Sequence, residues 1–590
     1  MFPSSRLLRR QLQKPASTCS ARIKIQNRPN RNLLSRHFSS VTVLPRDSNQ
    51  ALGIGQYAKD FITGASDPDA SVYDRVEMFH TDSVMCGLSA LALRTNAPNC
   101  LRDEALRDYT SASGKGAVLL GTDSTKVSPE KAIVANASAV REWDSNGTVF
   151  GYNANIPGHQ AGEFGHNDFY PVVMAAGEVR GALDGKTALK AMICLDEIRG
   201  RLAEVFSLKS YKIDHVVHGA IASAAVYGAL LNATAEQIES AIGMVCAHYI
   251  PFRAIRAGKQ LSDSKGASAA ISTEAAVMSM KRAMNGFIGP KDIFRNPEAI
   301  FRFFEPTSGV AADKNLIDIT LANKARWGPG SSPFDLHLSH SGSDFAVCGM
   351  HFKLGLYEHQ SAGALEGVIK LMKENPELLA GGLDGIEKIN IVAYEPAFGI
   401  IGDPAKKDPK TRQSADHSMA FIVSRMLKKG MENASSLSSA SMDDVWMKLM
   451  LSPYDYGHEA LYDAETRALM QKIQFTHGGE EYDSKYPDGI ITQEKAGRSY
   501  LQCTRFLYRK ICRARAHSMS MLFRMRNADL LSVYVSTFAL QIDIMLRACF
   551  CLWDRNPNQL RRDDKEREGK GFECSIQLST ASASSSLFLM

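Results

Sequence analysis

Between Gly219 and Leu231 the chain reads GAIASAAVYGALL, a run of small and apolar residues without a charged side chain. It falls short of the roughly 20 residues a membrane helix needs. An Ala- and Gly-rich helix that is apolar all round has to be buried and tightly packed. The neighbouring sequence supplies the packing partners. SVMCGLSALAL, GALDGKTALKAMICLDEIRGRLAEVF and GASAAISTEAAVMSMKRAMNG carry helical periods of Ala, Met and Leu, and few β-branched alternations interrupt them between Gly53 and Phe304. The expectation is a mainly α fold whose large all-helical domain occupies residues 53–320.

Asn296 to Pro333 is polar and contains Pro and Gly, which marks a domain boundary. Beyond it lie the amphipathic SAGALEGVIKLMKENPELL and the alternating IEKINIVAY, where Ile386, Ile389 and Ile391 predict a half-buried strand. Residues 333–490 are therefore expected to form a smaller α+β domain. From about Gln493 the texture changes to basic, Cys-richer sequence, and 493–590 reads as an atypical tail not selected to complete the same fold. Its most apolar run, FALQIDIMLRACFCLW, is broken by Asp543 and Arg547, so no membrane segment is expected.

The 69 Lys and Arg against 63 Asp and Glu give a formal charge of +6. Nine of those cations lie between Arg6 and Arg36, before the first acidic residue, Asp47, and without them the charge is −3. An Arg-rich, Ser-containing, acid-free leader has the composition of a mitochondrial transit peptide. Arg36-His37-Phe38-Ser39-Ser40 resembles a matrix-processing site, so residues 1–38 are expected to be removed on entry to the mitochondrial matrix. The remaining balance argues against a nucleic-acid partner. The 11 cysteines form no CxxC pair and no metal-ligand spacing, so neither a zinc site nor an iron–sulfur cluster is expected.

Chemistry-bearing residues concentrate in six places. The block Trp143 to Val173 packs Asp144, Thr148, Glu163, His166, Asp168 and Tyr170 around glycines, in a loop framed by the helical AIVANASAVREW and PVVMAAGEV. A carboxylate and an imidazole meeting there can share acid–base work; the alternative is a capping Asp and a turn His. In IDHVVHG, His215 and His218 stand three residues apart where an Ala-rich helix begins, and one of the two is expected to be structural. PFRAIRAGKQLSDSKGASAA gathers Arg253, Arg256, Lys259 and Lys265, cations able to bind carboxylates. HFKLGLYEHQSAG supplies Lys353, Tyr357 and His359; YEPAF and TRQSADHSMAF add Tyr394, Glu395, Arg412, Asp416 and His417. Together they describe a cation-lined, His-containing pocket between two domains for a small molecule.

HTDSVMCGLSALAL, REWDSNGT, EFGHNDFYPVV, IDHVVHGAIASAAVYG, RAIRAGKQLSDSKGAS, HFKLGLYEHQS, TRQSADHSMAF and YDSKYPDGI, in that order, resemble the MmgE/PrpD family over roughly Asp60 to Gly489. The resemblance is strongest to its mitochondrial, fungal-type 2-methylcitrate dehydratases. It implies a helical domain plus a smaller α+β domain, a homodimer, and no metal or organic cofactor. It also implies dehydration of 2-methylcitrate to 2-methyl-cis-aconitate in the methylcitrate cycle of propionate breakdown. Cis-aconitate decarboxylation by a similar pocket, or an inactive tricarboxylate-binding homologue, are the alternatives.

Residue by residue, Asp144, His166, His215, Lys265, Lys353 and His359 fall on the family's catalytic elements, with Lys259 the other choice for the lysine at Lys265. Thr148, Arg256, Lys259, Tyr394 and Arg412 are expected to bind substrate. Lys265, Lys353 and Arg256 would stabilise the dianion that forms when a proton leaves carbon beside a carboxylate. His215 would be the base and the Asp144/His166 pair would protonate the departing hydroxyl, or the reverse. Gly147 stands where the family commonly has Asp, and the family's Gly-His-Ala-Arg ending is absent after YPDGI.

Overall fold

The fold was read from a computed structural model, which describes residues 41–483 apart from 65, 123, 146–148, 151–162, 165–166, 182, 257–259, 305–329, 351, 354, 380–381, 383–384 and 396. The expected transit peptide, the tail 493–590 and most of the polar connection lie outside the described residues.

The Ala-rich run forms helix α7, Val216–Leu230, and every residue in it is buried. It packs against four long helices and a shorter one: α1 (Gln50–Thr63), α6 (Gly185–Val205), α8 (Ala235–His248), α10 (Ser268–Met284) and α5 (Pro171–Arg180). Small residues permit that crowding. A Cβ on Gly219 would lie 2.0 Å from Cζ of Phe169, and one on Gly228 would lie 2.6 Å from Sδ of Met280. Around this centre stand α2 (Ala70–Ala92), α3 (Asn96–Asp108) and α4 (Pro129–Arg141). The entry to α8 is fixed by a capping box in which the Thr234 side chain and Gln237 satisfy each other's backbone.

Two apolar cores follow from this arrangement. The larger holds the helices around α7, and residues placed by sequence in the second domain join it: Phe334, Leu336, Leu338, Phe345, Val347, Met350 and Phe352. Strand Leu336–Ser339 accounts for part of this, because it pairs antiparallel with Val41–Leu44 beside α1. By packing, the second core therefore begins near Leu356 rather than at residue 333.

That second core is built on the helices Ala362–Glu374, Met419–Glu432 and Ala464–Lys472, and on the strand Ile389–Ala393. The strand runs parallel to Ile473–His477, with Ile389 and Ile391 half-buried as their alternation requires. Among the described residues no sheet exceeds two strands, so the fold is mainly α in both parts. Ala90 and Leu91 from the end of α2, with Ala139 and Trp143 from the end of α4, also belong to the second core. The two cores thus meet where α4 ends, and the chemistry lies there.

Candidate active site

Helix α4 stops at Arg141, and three residues later the chain turns through Asp144, whose φ of +48° lies in the left-handed region. Asp is among the few non-glycine residues that occupy this region readily. The turn folds the Asp144 carboxylate back onto the Arg141 guanidinium, and both side chains are buried. Three distant segments converge on the same carboxylate. Lys265 Nζ, from the short helix α9 (Asp263–Gly266), lies 3.0 Å from Oδ2. Lys353 Nζ donates to Oδ1 at 3.0 Å and to the Asp144 carbonyl at 2.7 Å. His417 Nε2 is 3.3 Å from Oδ2. Phe352, stacked on Phe79 of α2 at 4.2 Å, anchors the segment that delivers Lys353.

Burial alone would push the Asp144 carboxyl up, but Arg141, Lys265, Lys353 and His417 outweigh it and hold the group well below the usual carboxylate range. Asp144 is thus an anion at neutral pH and has no proton to give. In this arrangement its carboxylate gathers cations, and its expected share in protonating a departing hydroxyl would pass through those partners. Lys265 feels the opposite balance. Burial, with Arg141 and Arg256 nearby, outweighs Asp144 and Asp416 and lowers its pKa from 10.5 to about 8.

His417 extends the cluster. Its Nδ1 lies 2.5 Å from Asp416 Oδ1 and 3.3 Å from Lys265 Nζ. Asp416 also accepts from Arg412 at 3.0 Å, and Arg412 reaches Glu142 at 2.8 Å while lying over the Trp143 ring at 5.4 Å. Ligand atoms of Asp144, Asp416 and His417 lie within 4.8 Å of one another, close enough for a metal ion. The positive charge such an ion would bring is already supplied there by Arg141, Lys265, Lys353 and Arg412.

A second cluster opens α7. Asp214 is fully buried and paired with Arg256, which also donates to Ser268 Oγ at 3.0 Å; the Arg256 charge overcomes burial and keeps the Asp214 carboxyl ionised. Beside it His215 Nδ1 is 3.5 Å from Asp214 Oδ1. Burial, helped by Arg256, Arg253 and Arg141 against the pull of Asp214, drives the His215 pKa well below 6.5, so the ring is neutral at physiological pH. His218 is buried one turn into the helix.

Asp168 sits between the clusters, with Arg141 Nε 3.8 Å from Oδ2 and the charges of Arg199 and Arg256 also acting on it. Neither of its oxygens accepts a hydrogen bond among the described residues, and burial raises its pKa. A third cluster pairs His359 Nδ1 with Glu358 Oε1 at 2.9 Å. Burial opposes ionisation of Glu358, but His359, His417 and Lys353 lower its pKa to about 2.

Of the residues expected from sequence, Asp144, Lys265, Lys353 and Arg412 meet in one buried network. His215, Arg256 and His359 stand in the adjoining clusters. Tyr394 follows the strand Ile389–Ala393, where it packs half-buried on the second core. Thr148, His166 and Lys259, with Gly147, lie outside the described residues. Arg141, Asp168, Glu358, Asp416 and His417 complete the site. Asp168, Asp416 and His417 stood among the polar groups picked out from sequence without an assigned role, and the signal available for Arg141 and Glu358 was their position beside such residues.

Residues 54–312 match the family model for the MmgE/PrpD N-terminal domain, and residues 357–502 match that for the MmgE/PrpD C-terminal domain. The cis-aconitate decarboxylase-like protein oryM of Aspergillus oryzae is 22% identical over 383 residues, which cover 62% of this chain and 71% of that protein.

Proposed function

Since the chain belongs to the MmgE/PrpD family, we propose that it is a lyase that removes water from 2-methylcitrate to give 2-methyl-cis-aconitate. The observation that carries this reading is the surplus of fixed charge around Asp144. Two lysines and an arginine share one carboxylate, with His417 beside them. A buried excess of cations is what a tricarboxylate needs in order to leave water.

It is also what the reaction needs. Removing a proton from carbon beside a carboxylate places a second negative charge on that carboxylate, and preorganised cations stabilise it without reorganisation. Lys265, Lys353 and Arg256 take this part. His215, neutral because of its burial, accepts the carbon-bound proton. The C–O bond then breaks, and the departing hydroxide takes a proton to leave as water. With Asp144 ionised, that proton comes from another group, and Lys265 with its pKa of about 8 is able to give it.

Decarboxylation of cis-aconitate is the second reading, favoured by the similarity to the decarboxylase-like protein. The same cations would bind that substrate. Incubating the purified protein separately with 2-methylcitrate, citrate and cis-aconitate and following products by NMR decides between them. An alkene from 2-methylcitrate supports dehydration, itaconate from cis-aconitate supports decarboxylation, and turnover of none of the three overturns both. The acid-free Arg-rich leader supports a mitochondrial matrix location, and the family resemblance supports a homodimer.

A further inference from the structure

His417 makes three contacts that cannot all be hydrogen bonds in one neutral ring. Its Nε2 faces Asp144 Oδ2 at 3.3 Å, while its Nδ1 faces both Asp416 Oδ1 at 2.5 Å and Lys265 Nζ at 3.3 Å. With Lys265 charged, the ammonium donates to a bare Nδ1, and Asp416 is left facing a lone pair. With the ring charged, Nδ1–H points to Asp416, Nε2–H points to Asp144, and Lys265 is a neutral amine. Charging both would set two cations against each other in a buried site. Charging neither would set a bare ring nitrogen of His417 against either Asp144 or Asp416.

We infer that Lys265 and His417 hold one proton between them, and that Asp416 with Asp144 makes the imidazole of His417 a reservoir for the proton that Lys265 exchanges with substrate. The transfer conserves charge: Nζ of Lys265 loses a proton and becomes an amine, and Nδ1 of His417 gains it and becomes half of an imidazolium. The Nε2–H stays on Asp144 throughout. His417 acts through Lys265 and is a positioning residue. The remaining charges facing the pair are Arg141 and Arg256 towards Lys265, and Glu358 towards His417.

The balance of these charges fits a shared proton. Burial and Lys265 lower the pKa of His417, while Asp416 and Asp144 raise it; Lys265 itself falls to about 8.

The catalytic use of this proton rests on the lyase reading, but the sharing itself can be tested without turnover. The full-length protein is treated with acetic anhydride at a series of pH values, and acetylation of Lys265 is quantified by mass spectrometry. In H417Q the acceptor is gone and both carboxylates act on Lys265 alone, so its modification midpoint rises by a unit or more and its reactivity at pH 7 falls about tenfold. An unchanged midpoint in a folded H417Q protein overturns the inference. If H417Q does not fold, K265M with histidine-labelled NMR serves instead: the His417 titration moves to higher pH, and an unmoved titration overturns the inference. On turnover, H417Q lowers kcat with KM nearly unchanged and shifts the pH profile; equal loss in both without a shift indicates structural support alone and overturns the reservoir. Absence of wild-type turnover beside a shifted Lys265 midpoint counts against the lyase reading only.

Discussion

Neutralising Asp144 would leave Arg141, Lys265 and Lys353 facing one another in a site with almost no water. Breaking a buried pair by removing one partner costs about 3–5 kcal/mol, and here one carboxylate serves three partners. D144N keeps a side chain that tolerates the left-handed backbone, so its loss of stability reports charge alone. The expected result is a fall of at least about 3 kcal/mol in urea unfolding, with turnover abolished. The pH dependence of stability has a definite sign at two further residues. The unfolded chain keeps a proton on Lys265 up to about 10.5 whereas the folded chain releases it near 8, so folding gains stability as pH rises through that window. His215 takes up a proton below 6.5 when unfolded and resists it when folded, so stability is lost as pH falls below 6.5. Unfolding curves for K265M and H215Q should be flatter in the alkaline and acid ranges respectively. An unchanged slope in either variant contradicts the assignment. Separately, H215A is expected to lose turnover by a factor of about 100 or more, as removal of an acid–base group does.

Helix α7 was legible because its composition leaves no face that could meet water. Its neighbours were legible from their periods, and the strand Ile389–Ala393 from alternation. The site was legible in parts. Asp144, Lys265 and Lys353 stand in sequence contexts to which the family resemblance gives a role, whereas Asp416 and His417, side by side in TRQSADHSMAF, were legible as polar groups of the pocket but without a role of their own. Their importance comes from burial and from Lys265, 152 residues away, and no local pattern encodes that proximity. The segment Phe334–Phe352, placed by sequence with the second domain, packs into the larger core for a related reason. Its partners, Val41–Leu44 and α1, lie nearly three hundred residues upstream. One packing detail ties α7 to the chemistry. Phe169, pressed on Gly219, follows Asp168 and lies beneath the Arg199 guanidinium at 4.9 Å. G219A must displace that ring, so about 1–3 kcal/mol of stability is expected to go, together with part of kcat. Calorimetry and steady-state kinetics on the same preparation test this, and loss of neither would mean that the ring moves freely.

On the scale of the whole molecule, Arg412 fastens the second core to the end of α4 by its ion pair with Glu142 and its seat on Trp143. R412A is expected to loosen the second core before the first, so that limited proteolysis cuts beyond Leu356 while α7 stays protected. Simultaneous loss of both parts would show that they unfold as one unit. The spacing of the contacts on Asp144 also sets a schedule. Its partners arrive 121, 209 and 273 residues later in the chain: Lys265, Lys353 and His417. A polypeptide emerging from a ribosome or threading through a membrane pore can build the helices around α7 while the Asp144 carboxylate still waits for two of them. The buried charge network is incomplete until residue 417 has arrived, so the newly made protein passes most of its assembly with that carboxylate only partly paired.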